Sequence, residues 1–189
     1  VELTNAYAII ANGGKKIEPK LITSIYSKDG KKIYDTRLKK CFECRIKTIL
    51  SKNVIPKLEE TKNIIIDPRL TYQITSMMEG VIKRGTAKNL KDLNVPIAGK
   101  TGTTNDNKDA WFIGYTPDLV IGIYVGYDKP KSLGYKQTGS SVAVPIFKKF
   151  AEKININQNK KPFRIPTGIS FVRIDPKSCL LYTSDAADE

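Results

Sequence analysis

With 189 residues, 40% hydrophobic and 27% charged, the chain has the size and composition of one globular domain and not of a disordered or fibrous segment. Its longest apolar run, 119–125, falls far short of the ~20 residues a membrane-spanning helix needs, and with no His and three Cys it lacks the ligands of a zinc site. The formal charge of +13 points toward polyanions, but the basic residues lie in scattered pairs such as Lys15-Lys16 and Lys148-Lys149 without interleaved aromatics, so a lysine-rich solvated surface and no nucleic-acid partner are expected.

Leu3, Tyr7, Ile10 and Ala11 recur at the spacing of one helical face, and Asn12-Gly13-Gly14 stops that helix. Two β-type runs, 21–26 and 32–34, flank Lys28-Asp29-Gly30, and an Asp-Gly between such runs predicts a hairpin. Residues 36–66 are polar, basic and weakly periodic, which reads as a variable connection with one short helix. Within it, Cys41 and Cys44 form a lone C-x-x-C after a basic stretch. A surface pair, open to a disulfide in an oxidising compartment, is expected there, with no bound metal.

Asp67-Pro68 starts the clearest helix, with Asp as N-cap and Pro at the first helical position. Leu70, Ile74, Met77, Met78, Val81 and Ile82 predict its core stripe, and Lys83-Arg84-Gly85 closes it with cations at the negative end of the dipole. Three β segments follow, 95–103, 110–115 and 119–127. The third is nearly all apolar without alternation, which predicts that both its faces are covered. Gly139-Ser140-Ser141 leads into a second amphipathic helix with Pro145 in its first turn and Ala143, Ile146, Phe147, Phe150 and Ile154 as apolar positions. Beyond Asn155 the chain is polar, and 165–174 resumes a β-like pattern, as at the start of a further module. Helices flanking consecutive antiparallel strands make the expected fold α+β, or mixed α/β.

Residues 179–189 break with the lysine-rich chemistry before them, and their sequence resembles a translated sequencing-library adapter. That tail is set aside as a processing scar. Together with an opening Val1 already inside a helical pattern, it leads to the expectation that the chain is a fragment.

The chemistry concentrates in Lys100-Thr101-Gly102-Thr103-Thr104 and the aromatic strand after it. A strand carrying a cation, two hydroxyls and an unobstructed glycine suits a carboxylate-bearing peptide that adds along its edge. Lys100 supplies the field, Thr101 and Thr103 supply hydrogen bonds to the carboxylate, and a backbone N–H after Gly102 suits an oxyanion hole.

Lys100-Thr101-Gly102 resembles the third signature of penicillin-binding proteins and serine β-lactamases, which accompanies Ser-x-x-Lys and Ser-x-Asn. Further runs are similar to class A penicillin-binding proteins, the bifunctional peptidoglycan synthases: Glu2-Leu3-Thr4-Asn5-Ala6-Tyr7-Ala8, Asn12-Gly13-Gly14, Gly85-Thr86-Ala87, 99–115 and 138–147. The resemblance covers 2–35 and 67–178 and implies an incomplete transpeptidase fold. Residues 1–155 are then the C-terminal portion of a transpeptidase domain, 36–66 its variable connection, and 156–178 the start of a C-terminal extension.

The same resemblance implies a D,D-transpeptidase working through a serine acyl-enzyme, needing no cofactor or metal, that takes peptidoglycan stem peptides and lipid-linked precursors and binds β-lactams. It further implies a membrane-anchored parent at the periplasmic face of the bacterial inner membrane, with a glycosyltransferase domain. Lys100 maps to the catalytic lysine, and Thr101, Gly102 and Thr103 map to the substrate-binding positions. Asp109, Trp111 and Tyr115 match the family pattern as supports of the strand.

The departure from the pattern is that no Ser-x-x-Lys occurs, and Ser51-Lys52-Asn53 lies in the variable connection, where chance explains it. The nucleophile is therefore expected outside this chain, which by itself should be inactive. The alternatives are a D,D-carboxypeptidase or β-lactamase relative, which shares the signature but not the 139–147 run, and a basic non-enzymatic binding module.

Overall fold

The computed structural model describes residues 1–36, 63–158, 160–172 and 174–175. Cys41, Cys44, the Ser51-Lys52-Asn53 triplet, the helix expected within 36–66 and the tail 179–189 lie outside these residues.

Helix α1 spans Glu2–Ala11, and the hairpin strands β1 and β2 span Ser24–Tyr26 and Lys32–Asp35. Helix α2 spans Pro68–Lys83, followed by a 3-10 turn over Lys88–Leu93. Strands β3 (Ala98–Thr103), β4 (Asp109–Tyr115) and β5 (Val120–Gly126) form an antiparallel sheet in that order. A π-helical turn at Gly139–Ala143 then leads directly into α3, Val144–Lys153. The α+β reading holds: an antiparallel sheet flanked by helices.

Local chemistry accounts for the element ends. Asp67 accepts from the Arg69 N–H at 2.8 Å and so caps α2, with Pro68 where no donor is needed. Gly13 and Gly14 end α1 at φ +66° and +82°, the left-handed region that glycine enters without penalty. A Cβ on Gly14 would meet the Ile66 carbonyl at 1.9 Å, and Gly14 O accepts from Ile65 N at 2.9 Å. The segment entering α2 therefore lies directly on the end of α1. Gly30 turns the hairpin at φ +76°.

The register assigns the two faces of the sheet, because directly paired residues of antiparallel strands point the same way. Ala98↔Tyr115, Lys100↔Ile113 and Gly102↔Trp111 share one face; Gly99↔Gly114, Thr101↔Phe112 and Thr103↔Ala110 share the other. Against the Phe112 face pack Leu90, Leu93, Val144, Phe147 and Ala151, with the Phe112 and Phe147 rings edge-to-face at 5.0 Å. Gly114 admits these rings, since a Cβ there would come within 2.7 Å of both. On the other face, buried Met78, Ala98 and Tyr115 are joined by partly buried Tyr7, Ile10, Val120 and Phe163.

Four sequence expectations need correction. In α2 the buried residues are Thr71, Thr75, Met78, Gly80 and Ile82, while Leu70, Ile74 and Met77 are exposed. The row that meets the sheet is thus one position C-terminal to most of the predicted stripe, and two threonines occupy it because their hydroxyls bond within the helix. In α3 the core positions are Val144, Phe147 and Ala151, with Ile146, Phe150 and Ile154 exposed. Strand β5 is covered only in part: Thr4 of α1 lies against Gly122 on one face and Ile121 and Ile123 pack on the core at the other, while Tyr124 stays exposed. Residues 165–172 form no strand. Instead the nearby aromatic residues dock singly, Phe163 on Tyr115 and Phe171 on Tyr72.

Candidate functional site

Strand β3 is the edge of the sheet opposite β5, and Lys100, Thr101, Gly102 and Thr103 are its last four residues. Lys100 and Thr103 are exposed, and Thr101 and Gly102 are half-buried. Strand alternation separates their roles. Thr101 and Thr103 project to one side as a pair of hydroxyls, and Lys100 projects to the other. The Lys100 ammonium donates to the Thr101 carbonyl at 2.7 Å.

Both threonine hydroxyls are held from outside the strand. Thr103 Oγ accepts from the Gly139 N–H at 3.0 Å, which leaves its own proton free to donate. Thr101 Oγ lies 2.8 Å from Thr86 Oγ, in the turn just after α2. The Ser140 hydroxyl donates to the Thr86 carbonyl, so the π-turn and the end of α2 are tied together beside the strand.

Two glycines permit this closeness. A Cβ on Gly139 would sit 2.3 Å from the Trp111 carbonyl and 2.6 Å from the Gly102 carbonyl. A Cβ on Gly85 would sit 2.7 Å from Val81 Cα, so only glycine lets the chain fold back over the last turn of α2 and deliver Thr86. The π-turn is itself fixed by a reciprocal cap. Thr138 Oγ accepts from Ser141 N, and Ser141 Oγ accepts from Thr138 N at 2.8 Å.

Asp109, Trp111 and Tyr115 hold the strand pair from β4. The Asp109 carboxylate accepts from Tyr124 Oη at 2.9 Å and from Thr104 Oγ at 3.1 Å, while Asp109 N donates to Thr104 Oγ at 2.9 Å. These bonds pin the loop that follows Thr103, and the bonded carboxylate pushes the Tyr124 phenol pKa up. The Trp111 ring packs against that of Tyr124 with centroids 4.6 Å apart and planes tilted by 45°. Tyr115 is fully buried with its hydroxyl 2.9 Å from Thr75 Oγ, and burial pushes its pKa up to about 12.

Chemically, the cluster offers one cation, two aligned hydroxyls and backbone donors on an open strand edge. These are the parts for holding a carboxylate-ended extended peptide. Thr86, Gly139 and Ser140 lie in runs that carried the family resemblance, but pattern reading gave them no role. Their contacts span 15, 36 and 54 positions of sequence, and no local periodicity reports on such distances.

Comparison with known proteins identifies the family. The family profile described as "Penicillin binding protein transpeptidase domain" matches residues 1–152. Proteins named penicillin-binding protein 1A from Rickettsia prowazekii and Rickettsia typhi are 45% and 46% identical over 174 residues, which is 92% of this chain. The chain spans 22% of the length of those curated relatives. The crystal structure of penicillin-binding protein 1A from Haemophilus influenzae superposes with a TM-score of 0.78 at 28% identity, covering 96% of this chain and 30% of that one. As its class A resemblance implied, the chain belongs to the penicillin-binding protein transpeptidase-domain family.

Proposed function

We propose that this chain is the substrate-strand portion of a peptidoglycan D,D-transpeptidase. A serine outside the chain attacks the penultimate D-Ala carbonyl of a stem peptide, and the terminal D-Ala leaves as the free amine. The amine of a second stem then attacks the resulting ester, forming the cross-link and restoring the serine hydroxyl. Lys100 supplies positive charge on the side of β3 that faces the nucleophile. Thr101 and Thr103 donate to the terminal carboxylate, and the Thr103 N–H belongs to the oxyanion hole. β-Lactams acylate the same serine, their carboxylate taking the place of the peptide's.

The observation that carries this reading is the pairing of Thr101 and Thr103 on one side of an edge strand with Lys100 on the other. Carboxylate recognition and nucleophile chemistry thus have separate sides. The Ser-x-x-Lys and Ser-x-Asn elements belong to the rest of the protein, and the 189-residue chain alone is inactive. The parent acts on stem peptides and lipid-linked precursors at the periplasmic face of the inner membrane, where it is anchored, and also carries a glycosyltransferase domain.

The test is labelling of the full-length protein by a fluorescent penicillin. Lys100→Ala should abolish labelling while leaving the thermal unfolding transition in place, and the isolated chain should not label at all. Unchanged labelling of Lys100→Ala refutes the site, and labelling of the isolated chain refutes an external nucleophile.

A further inference from the structure

Thr86 lies outside the strand that meets substrate, yet its hydroxyl is 2.8 Å from that of Thr101. Three independent features hold it there. The absent side chain of Gly85 lets the chain turn back over Val81, and Ala87 N bonds to the Val81 carbonyl at 3.1 Å while its side chain is buried. From the other side, Ser140 donates to the Thr86 carbonyl. This anchorage is more than an ordinary surface threonine has, and it ends at a single polar contact.

We propose that Thr86 is a positioning residue for carboxylate recognition, with Ser140 as its anchor. The inference rests on the reading of Thr101 and Thr103 as the carboxylate donors. A hydroxyl has one proton. If Thr101 spent its proton on a neighbour, it could offer a ligand carboxylate only lone pairs, which repel. With Thr86 donating to Thr101 Oγ, the Thr101 proton points outward, and donation along the chain Thr86→Thr101→carboxylate strengthens the last bond. Thr103 receives the same treatment from the Gly139 N–H, which cannot act as an acceptor. Each ligand-facing hydroxyl thus has a donor behind it, and each proton is directed to the same place.

This role predicts an effect that depends on the ligand's charge. Second-order acylation rates of the full-length protein are measured with benzylpenicillin and with its methyl ester, which has no anionic carboxylate. Thr86→Val should slow acylation by the free acid roughly 1.5- to 4-fold, the loss of the cooperative strengthening of the Thr101–carboxylate bond, and leave the ester rate unchanged. Thr86→Ser, which keeps the hydroxyl, should restore the free-acid rate. Equal slowing of acid and ester means that Thr86 only shapes the turn, and no slowing of either means that it does not orient Thr101; both results overturn the proposal. Lys100→Ala is run alongside. If the wild type is not acylated, or Lys100→Ala reacts like the wild type, the underlying assignment of the site fails and takes this inference with it.

Discussion

The Tyr115 hydroxyl donates to Thr75 Oγ at 2.9 Å, because the single Thr75 proton is already given to the Thr71 carbonyl at 2.8 Å. One buried hydrogen bond thereby joins the central strand to the middle of α2, the helix that ends at the site. The direction of donation makes the two ends of the bond unequal. Thr75→Val leaves a buried phenol with no acceptor and should cost about 1–3 kcal/mol, whereas Tyr115→Phe should cost about 1 kcal/mol. Urea unfolding of both variants measures the difference, and equal losses would mean the donor assignment is wrong.

The same tyrosine sets an alkaline dependence. Its pKa stands at about 12 when folded against the ordinary value of 10.0, so between these values the unfolded chain loses a proton that the folded chain keeps. Stability from this group is fully present below pH ~10 and declines as pH rises toward ~12. Tyr115→Phe should flatten that part of the curve of unfolding midpoint against pH, and an unchanged slope would remove Tyr115 from the account.

Asp67 works in the opposite direction. Hydrogen bonds from the Arg69 side chain and backbone hold its carboxyl at about 2, below the ordinary 3.8. Stabilisation by this cap is therefore complete above pH ~4 and is lost as pH falls toward ~2. Asp67→Asn should keep most of the cap at neutral pH and lessen the acid sensitivity, while Asp67→Ala should lower the unfolding temperature at neutral pH as well. Thermal melts at pH 2 and pH 7 distinguish these outcomes.

Adjacent methionines test which side of α2 meets the sheet. Met78 is 8% exposed and Met77 is 72% exposed. Met78→Ala should cost about 2–4 kcal/mol in the 189-residue chain, and Met77→Ala no more than about 0.5 kcal/mol. Similar losses at both positions would restore the wider stripe expected from periodicity.

Gly139 is where the π-turn touches the strand pair. Gly139→Ala places a methyl group against the Trp111 and Gly102 carbonyls, and it should cost about 1–3 kcal/mol as the turn is pushed away. Penicillin labelling of the full-length protein should fall with it, because the Gly139 N–H would leave Thr103. Retained labelling would separate the turn from the site.

Local chemistry alone determined much of this protein. Asp67-Pro68, Gly13-Gly14 and Asp29-Gly30 each dictate a dihedral or a cap within a few residues, so α1, α2 and the hairpin were legible at once. The edge strand was legible too, because Lys100-Thr101-Gly102-Thr103 carries its donors in one short run and period two places the threonines together. Only the tertiary structure decided which side of each helix is buried. Periodicity marks every apolar position of α2 alike, but Met78 and Ile82 meet the sheet while Leu70, Ile74 and Met77 do not. It also decided that β5 is the last strand of the sheet among the described residues, since an apolar run carries no record of its number of neighbours. The hydrogen-bond partners behind Thr101 and Thr103 belong to the same class: Thr86 and Gly139 reach them through chain reversals at Gly85 and the π-turn, and a hydrogen bond between distant residues leaves no periodic trace in the sequence.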